Sequence, residues 1–374
     1  MSRFSEDINS EIFSRLPVKS VLRARGSSKG IRDLIDDPNF VGKHLKFSSQ
    51  RNPSLLLTDN RCRAEGNNLN TLYFVQNEET PNHYSCNKVS FQIPGFQEFR
   101  VMGSCNGLIC LVHPDRRYEI YVCNPCTGKY NKIPPPVSRD DRPHFIFVGF
   151  GVIPETNKYK VVAVVDSPEH GDFNRLLQRV YVYTLGDTTW KQLKDNSPVL
   201  RLRQSACKPF VNGALHWVCD DKHIVSFTMD TEDFGFVPPP ELELGSGSFS
   251  LRAFIGKLMI LNRSFGDRIE MWVMNNYGDV GSWTRNFTIS QQHIGRDIRN
   301  VEIVCFLEDG EVLMACDHQV LLRYNLEKAL ADEVIRIDGL PERFDAFAHV
   351  GTLVSPVPRI EEQIKLDKMD LDRS

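Results

Sequence analysis

Near the amino terminus the chain reads FSEDINSEIFSRLPVKSVLRARGSSKGIRDLIDDPNFVGKHL, residues 4–45, the one stretch whose apolar residues follow a continuous helical pattern. In its first part an apolar side chain recurs every four residues, which predicts one apolar face on a helix of about three turns. These residues are Phe4, Ile8, Ile12 and Leu16, with Phe13 beside them. Ser5 is a suitable cap for this helix, and Pro17 ends it.

Further short helices are predicted in the same stretch. Pro17 is well placed to start the second helix, because a proline at the first helical position loses no hydrogen bond. The apolar residues of this helix are Val18, Val21 and Leu22. Ser27 and Ser28 are candidate caps for a third helix with Ile31, Leu34 and Ile35. Asp37-Pro38 ends that helix and opens a last turn with Phe40, Val41 and Leu45.

A helical unit of this size buries too small a fraction of its surface to be stable alone, so something must cover its remaining apolar faces. Two explanations stay open. The helices form a cap packed on the domain that follows, or they form a module that docks onto another protein. In the second case we expect the partner-facing surface to consist of Phe4, Ile8, Ile12, Phe13, Leu16, Pro17, Val18, Val21 and Leu22.

After Ser48 the sequence changes to short runs of β-branched and aromatic residues, separated by turn signals such as Asn-Gly, Asp-Gly and Pro-Pro. Such a sequence is typical of a β-sandwich, barrel or propeller. One pattern repeats, in which a glycine at a turn opens a strand and two more strands follow. The repeats begin at Gly107, Gly213, Gly256 and Gly310, and one further unit is predicted at 145–193.

The spacing of this repeat favours a propeller. The last three turn glycines lie 43 and 54 residues apart, and a β unit that recurs at about 40–55 residues indicates propeller blades. With a degenerate first unit at 53–99, the pattern predicts about six blades, closed by a strand at 347–354 that returns beside 54–58. We therefore expect a small all-α unit over 1–47, an all-β propeller-like domain over 48–358 and a mobile tail over 359–374.

The helical stretch resembles the F-box, the short motif that docks onto the SKP-type adaptor of cullin-based ubiquitin ligases. The resemblance rests on Ile8, Ile12-Phe13, Arg15 to Ser20, Arg23, Arg25, Ser28-Lys29, Leu34-Ile35, Pro38 and Phe40. Two positions depart from the family pattern, because Phe4-Ser5 replaces the usual Leu-Pro and Ile31 replaces the usual tryptophan. The resemblance implies that the apolar residues of the first two helices bind the adaptor and, through it, a cullin.

Residues 100–340 resemble the F-box-associated domain of plant F-box proteins, a kelch-like relative. The resemblance rests on 103–111, Asn124-Pro125, Thr127-Gly128, the prolines at 134–136, 159–162, Trp190, 212–217 and 282–284. It implies a substrate-recognition subunit of an SCF (SKP-cullin-F-box) ubiquitin ligase, which holds the adaptor at one end and a target protein at the other. The alternative left open is a propeller scaffold with a degenerate F-box that works without the adaptor.

No constellation in the sequence predicts catalysis, a metal site or a cofactor. Cys105 lies between two glycines, as a nucleophile on a strained elbow does, but Asn-Gly favours a hairpin and no helix pattern follows. Cys123 and Cys126 have the spacing of a metal or redox pair without a matching second pair. We expect Trp190 and Trp283 to anchor blades rather than to hold a ligand. A propeller hydrolase is opposed by the missing catalytic set.

The charge and hydropathy of the sequence limit the classes of partner that we expect. The formal net charge is −3, and residues 1–47 carry nine Lys/Arg against six Asp/Glu, far from a dense phosphate-binding stripe, so we expect no nucleic acid. No signal peptide pattern is visible, and no apolar run approaches a membrane span. The expected location is therefore the cytoplasm, the nucleus or both, where the ten cysteines would stay reduced.

The position of the target follows from loop lengths. If the strands of each blade are lettered a to d, the b–c and d–a connections leave from one face of the propeller. The long segments are predicted there, at 60–70, 113–118, 166–179 and 262–267 between strands b and c, and at 138–144 and 291–300 between d and a. Because loops on a rigid scaffold often carry binding sites, we expect the target to contact Arg139, Arg142, His170, Arg175, Arg179, Arg296 and Arg299.

Overall fold

The structure is a computed structural model of the chain of 374 residues. It describes residues 6–51, 53–59, 72–77, 84–89, 93, 99–114, 116, 118–137, 144–169, 172–193, 209–219, 223–240, 249–254, 256–262, 268–290, 294, 301–307, 310–335, 337, 340 and 342–357. In these ranges, the four α-helices that span several turns precede all of the strands. None of these helices has the length and hydropathy needed to cross a membrane.

The described part of the amino-terminal stretch forms four helices: α1 (Glu6–Ser14), α2 (Val18–Ala24), α3 (Lys29–Asp36) and α4 (Pro38–Ser48). As expected, Ser28 caps α3 by accepting a hydrogen bond from the backbone N–H of Ile31 at 3.2 Å. The expected last turn is instead the 11-residue helix α4. Pro38 begins that helix, whereas Pro17 is the residue before α2. Phe4 and Ser5 lie outside the described residues.

The strands form six antiparallel sheets of four strands each, which are the blades of a propeller. We letter the strands of each blade a to d across the sheet. Blade 1 contains β24 (Phe344–His349), β1 (Ser54–Asp59), β2 (Leu72–Asn77) and β3 (Tyr84–Val89); blade 2 contains β4 (Arg100–Cys105), β5 (Leu108–Val112), β6 (Ile120–Cys123) and β7 (Tyr130–Ile133); blade 3 contains β8 (His144–Ile153), β9 (Lys158–Glu169), β10 (Asp172–Thr184) and β11 (Lys191–Gln192). Blade 4 contains β12 (Phe210–Val211), β13 (Ala214–Val218), β14 (Ile224–Thr228) and β15 (Phe234–Val237); blade 5 contains β16 (Phe249–Phe254), β17 (Lys257–Asn262), β18 (Arg268–Met274) and β19 (Trp283–Ser290); blade 6 contains β20 (Val301–Phe306), β21 (Glu311–Cys316), β22 (Val320–Asn325) and β23 (Leu330–Ile335). The predicted architecture and blade number are confirmed.

The core consists of apolar layers between neighbouring blades. Side chains alternate along a strand, so a single strand serves two layers. In β1, Leu55 and Leu57 pack towards blade 6, while Leu56 packs towards blade 2. In β9, Val162 and Val164 pack towards blade 4, and the residues on either side of them pack towards blade 2. Six such layers join the six blades into a closed ring.

The ring is closed by a strand from the far end of the chain. The strand β24 pairs antiparallel with β1, with Leu56 opposite Phe347. The predicted closing strand, 347–354, has the right partner, but the structure begins and ends the strand earlier, at Phe344 and His349. Residues 350–354 therefore continue beyond the sheet.

Antiparallel order gives the propeller two distinct ends. We call the end with the a–b and c–d turns the turn face, and the end with the b–c and d–a connections the loop face. On the turn face, Asn106-Gly107 and Asn212-Gly213 form tight hairpin turns in which all four residues have φ between 49° and 77°. A positive φ favours Asn and Gly over other residues, as these hairpin turns require. The hairpins that Asn-Gly favours are thus present at both places.

One predicted loop is wrong. The sequence predicts a b–c loop at 166–179, but residues 166–169 continue β9 and residues 172–179 continue β10, with Asp166 opposite Gln178 and Glu169 opposite Asp172. The pairing shifts register between Asp172 and Leu176. Backbone pairing does not require apolar side chains, which is why a polar sequence was mistaken for a loop. The hairpin extends blade 3 beyond the loop face.

Trp190 and Trp283 join neighbouring blades, as expected. The indole N–H of Trp190 donates to the carbonyl oxygen of Pro134 at 2.6 Å, and that of Trp283 donates to Pro238 at 2.9 Å. In both cases the tryptophan lies at the start of strand d, and the proline follows strand d of the preceding blade. The repeated prolines at 134–136 and 238–240 thus belong to a device that recurs between blades.

We predict that Trp283→Phe lowers the free energy of unfolding by about 1 kcal/mol, because it removes this hydrogen bond while keeping an aromatic ring in place. The midpoint of urea unfolding at an unchanged slope measures the loss. Trp272→Phe is the matched control, since its indole N–H bonds to Glu270 of the same strand at 3.3 Å. An equal or larger loss in the control would contradict the role of Trp283 between blades.

Candidate protein-binding surfaces

The helical unit, residues 6–51, has a small internal core. Val21, Ile35 and Phe40 are buried at its centre. The half-buried residues packed around them include Phe13, Leu16, Ala24, Ile31 and Leu34 from the helices, and also Leu353 from the other end of the chain. The unit is therefore completed by a residue that its own sequence does not supply.

The open apolar surface of this unit lies on α1. Ile8 and Ile12 are each 46% exposed and lie one helical turn apart. Pro17 is exposed as well, and the remaining half-buried members of the predicted surface are Phe13, Leu16 and Leu22. The prediction is wrong for Val18 and Val21, which are buried inside the chain at 4% and 0% exposure. A stripe of apolar residues could not show which side of α2 the chain itself covers.

The turn between α1 and α2 is held by α4. The ring Nε2 of His44 lies 3.0 Å from the carbonyl oxygen of Leu16, and the guanidinium of Arg51 donates to the carbonyl oxygen of Arg15. Burial lowers the pKa of His44, so the neutral ring donates its Nε2–H to Leu16. The guanidinium of Arg15 lies 4.6 Å from the ring centre of Phe47. These contacts fix the angle at which α1 presents Ile8 and Ile12.

Ion pairs tie the helices together at the surface. The carboxylate of Glu11 on α1 accepts from Lys43 of α4 at 2.6 Å and from Arg15 at 2.6 Å. The hydrogen bond from Lys43, followed by that from Arg15, lowers the pKa of Glu11. Arg25 after α2 makes two hydrogen bonds of 2.7 Å to Asp36 of α3. Because these groups are exposed, they set orientation more than stability.

The helical unit packs on the turn face of the propeller. Residues 350–354, which we call the bridging segment, run from the end of β24 between the two parts of the chain. On the propeller side, the Nδ2 of Asn124 donates to the carbonyl oxygens of Thr352 and Val354 at 3.0 and 2.7 Å. On the helical side, Leu353 joins the helical core. The ammonium of Lys19 also lies 5.3 Å above the ring of Phe74 in blade 1.

A buried histidine lies beside this contact. His349, the last residue of β24, is 1% exposed, and burial lowers its pKa to about 3. Its ring meets Phe74 edge-on at 5.7 Å, and its Nε2 lies 3.9 Å from the Sγ of Cys126. The neutral ring is thus part of the packing between blades 1 and 2.

Two of the residues predicted to contact a target lie within the described residues, on the strand β10 of blade 3. Arg179 is half-buried on β10 opposite Val165, and Arg175 lies in the same strand nearer the tip of the hairpin. Arg139, Arg142, His170, Arg296 and Arg299 lie outside the described residues. The strand ends that flank 60–71, 138–143, 263–267 and 291–300 lie at the loop face; apart from Ile294, these four segments lie outside the described residues. An exposed aromatic residue that the sequence did not single out, Phe236 on β15 of blade 4, is 66% exposed.

The cysteines singled out in the sequence have the properties of core residues. Burial raises the pKa of Cys105 to about 12 and that of Cys126 to about 11, and it raises the pKa of Cys123 as well. A nucleophilic or metal-binding thiol needs the opposite shift. Within the described residues, no group of three or more His, Cys, Asp or Glu side chains could hold a metal ion. Cys105 and Cys123 are buried in the packing of blade 2, and Cys126 is half-buried in the turn that follows β6.

Comparison with known proteins gives the same division of the chain. A family model described as F-box domain matches residues 1–42, and one described as F-box associated beta propeller domain matches residues 57–354. An F-box protein of Arabidopsis thaliana is 27% identical over 93% of this chain and 91% of its own length. F-box protein CPR1 of the same plant is 26% identical over 95% of this chain and 89% of its own length. An F-box/kelch-repeat protein, also from Arabidopsis thaliana, is 24% identical over 92% of this chain and 94% of its own length.

Three residues of the contact between helices and propeller were not predicted. The backbone at Gly351 lies close to Val18 of α2, and Leu353 packs on the helical core. Contacts of this kind between distant residues leave no short-range signal in the sequence. Asn124 was noticed only as part of an Asn-Pro turn. Its Oδ1 does accept from the turn N–H groups of Cys126 and Thr127 at 2.8 and 3.2 Å, and the same turn chemistry leaves Nδ2 free to hold the bridging segment.

We predict that His349 makes the fold acid-sensitive. Its pKa is about 3 in the folded chain and about 6.5 when unfolded, so below pH 6.5 the unfolded state binds a proton that the folded state does not. The free energy of unfolding should then fall by about 1.4 kcal/mol per pH unit from this group as the pH drops from 6.5 towards 3. Urea unfolding at neutral pH and at about pH 5 measures this decline.

The variant His349→Gln should show a smaller decline than the parent, by about 2 kcal/mol over that interval. His223→Gln is the control, because His223 is exposed. His216 is also buried with a pKa lowered to about 4, so part of the decline should persist in His349→Gln. Identical declines in the parent and in His349→Gln would contradict the prediction.

Proposed function

The chain belongs to the family of F-box proteins with an F-box-associated β-propeller domain, and we propose that it is the substrate-recognition subunit of an SCF ubiquitin ligase. In this proposal α1 and Pro17, the exposed residue before α2, bind a SKP-type adaptor and, through it, a cullin. The loop face of the propeller binds a target protein. The chain itself forms and breaks no covalent bond in ubiquitin transfer.

The observation that carries the proposal is the placement of the two surfaces. The helical unit packs on the turn face, while the long pair of strands β9 and β10 extends at the loop face. A partner on α1 and a partner on the loop face can therefore bind at the same time. Holding two proteins on one body raises the local concentration of each near the other, which is how a non-catalytic subunit accelerates a transfer between them.

The exposure of α1 supports adaptor binding. Ile8 and Ile12 are two of the large apolar residues left exposed among the described residues, and they share one face of a helix held rigidly by α4. Burying an aliphatic side chain of this size contributes about 1.5–3 kcal/mol. Such a pair of apolar side chains is therefore better suited to burial in an apolar groove of a partner than to exposure to water.

The departure from the family pattern at Ile31 does not affect this surface. Ile31 is half-buried and packs on the helical core formed by Val21, Ile35 and Phe40. A smaller side chain there changes packing inside the unit, whereas Ile8 and Ile12 lie on a different helix. The argument for an adaptor-independent scaffold thus rests on Phe4-Ser5, which lies outside the described residues. The proposal also places the chain in the cytoplasm, the nucleus or both, where a cullin-based ligase would meet it.

We predict that the double variant Ile12→Ala with Pro17→Ala abolishes capture of a SKP-type adaptor. It removes exposed apolar surface at the end of α1 and the rigid residue before α2, and each well-packed aliphatic side chain at an interface is worth about 2 kcal/mol or more when truncated. Pull-down of purified adaptor by the full chain measures the effect. Circular dichroism should show an unchanged β-sheet signal.

The matched control is Leu330→Ala. Leu330 is an aliphatic residue 52% exposed at the start of β23 in blade 6, so its truncation removes similar surface away from the helices. Adaptor capture should stay at the parent level in this variant. Adaptor binding by the double variant at parent strength would rule out the proposed surface.

For the target, we predict that the hairpin of blade 3 is required. Replacing 167–177 with Asn-Gly joins Asp166 to Gln178, which already lie opposite each other, by the tightest hairpin turn. The shortened chain should fold and bind the adaptor, but it should lose the target. A protein captured by the full chain under proteasome inhibition should therefore live longer in cells that carry only the shortened chain.

The matched control exchanges the side chains and keeps the hairpin. Replacing Arg175 and Arg179 by Gln preserves the backbone pairing of β9 and β10 and tests whether charge or shape holds the target. Unchanged turnover of the captured protein in the shortened chain would contradict a role for this face.

A further inference from the structure

The bridging segment, residues 350–354, contacts both parts of the molecule and continues directly from the strand that closes the ring. We propose that this segment couples closure of the propeller to completion of the helical unit, so that the adaptor-binding helices reach their final packing only in a chain whose ring is closed. The reference to the adaptor rests on the proposed function. The coupling itself does not.

On the propeller side, the segment is held at its backbone. Asn124 of blade 2 uses its Nδ2 to bind the carbonyl oxygens of Thr352 and Val354, and it is fully buried. The a–b turn of the same blade lies against the segment, because a Cβ added to Gly107 would come within 2.3 Å of the carbonyl oxygen of Val350. The segment can occupy this place only when β24 lies beside β1 and blade 2 is formed.

On the helical side, the segment supplies packing that the helices lack. Leu353 packs on the core of Val21, Ile35 and Phe40. At Gly351 the backbone approaches α2 so closely that an added Cβ would lie 2.8 Å from Cγ1 of Val18. Val18 is 4% exposed and β-branched, so it has little freedom to move aside.

The consequence follows from chain order. The helices are encoded first, but their core is completed by a residue more than 300 positions later. A unit with three fully buried apolar residues has little stability of its own, so loss of Leu353 and of the contact at Gly351 should loosen α2, α3 and α4. A chain with an open ring would then present its adaptor-binding surface on loosened helices. Closure of the propeller thereby acts as a condition for docking.

The decisive variant is Asn124→Asp in the full chain. Its Oδ1 still accepts from the turn N–H groups of Cys126 and Thr127, but a carboxylate oxygen replaces the donor that holds Thr352 and Val354. The change lies on the propeller side, so faster hydrogen exchange in α2, α3 and α4 would show that the effect passes through the segment. We expect exchange there to rise by about fivefold or more, because both hydrogen bonds from Nδ2 are lost, with β17 and β21 unchanged.

Gly351→Ala tests the helical side. It should also speed exchange in α2, α3 and α4, because the new Cβ collides with Val18. Adding Val18→Ala removes Cγ1, and the double variant should exchange no faster than Val18→Ala alone. Gly42→Ala is the control, since Gly42 lies in α4 with no atom near its added Cβ and its helix should exchange no faster than in the parent.

The outcomes are distinct. Helical exchange at the parent rate in both Asn124→Asp and Gly351→Ala would overturn the coupling, and so would equal acceleration in the helices and in β17 and β21, which would show a general loss of stability. Pull-down of purified SKP-type adaptor is measured on the same proteins. If the parent chain binds no adaptor but its helices respond to Asn124→Asp, the proposed function fails and the coupling stands. If the parent binds, weaker capture by Asn124→Asp is expected.

Discussion

Pairing of β24 with β1 is the contact on which the rest of the structure depends. Each blade buries its two faces against its neighbours, so a ring lacking one contact would leave two apolar faces open to water. Leu55 and Leu57 face blade 6 while Leu56 faces blade 2, and burial of one such side chain contributes about 1.5–3 kcal/mol. Because β24 also fills the innermost position of blade 1, its absence would leave β1 as an open edge. Closure thus completes two apolar layers and removes an edge at once.

Much of this fold could be predicted because local sequence specifies its parts. Asn106-Gly107 and Asn212-Gly213 adopt the positive φ that their residue types favour, and the strands that follow these two turns, β5 and β13, are almost fully buried. A strand buried on both faces reads as a continuous apolar run, as Val161 to Val165 does. The recurrence of these parts predicted the propeller, and the tryptophans at the start of two strands d predicted anchors between blades.

The parts that could not be predicted depend on contacts between distant residues. Asn124 and Thr352 are 228 positions apart, and their contact involves a carbonyl oxygen, which every residue has. Val18 and Val21 were assigned to an intermolecular surface because an apolar stripe does not show whether its partner is another chain or the far end of the same chain. The hairpin at 166–179 was taken for a loop for a related reason, since its strands are defined by backbone pairing and its sequence is polar.

The two sides of the helical unit differ in how far the chain itself covers them. The α2 side is a cap on the propeller, covered by Gly351 and Leu353, and the α1 side leaves Ile8 and Ile12 open. The two surfaces therefore lie at opposite ends of the propeller, because the covered side packs on the turn face and the long strands β9 and β10 extend at the loop face. A blade strand of five residues such as β5 spans about 17 Å. The propeller therefore separates the two surfaces by at least that distance, so a partner on α1 and a partner on the loop face would approach from different sides and would not compete for the same contacts.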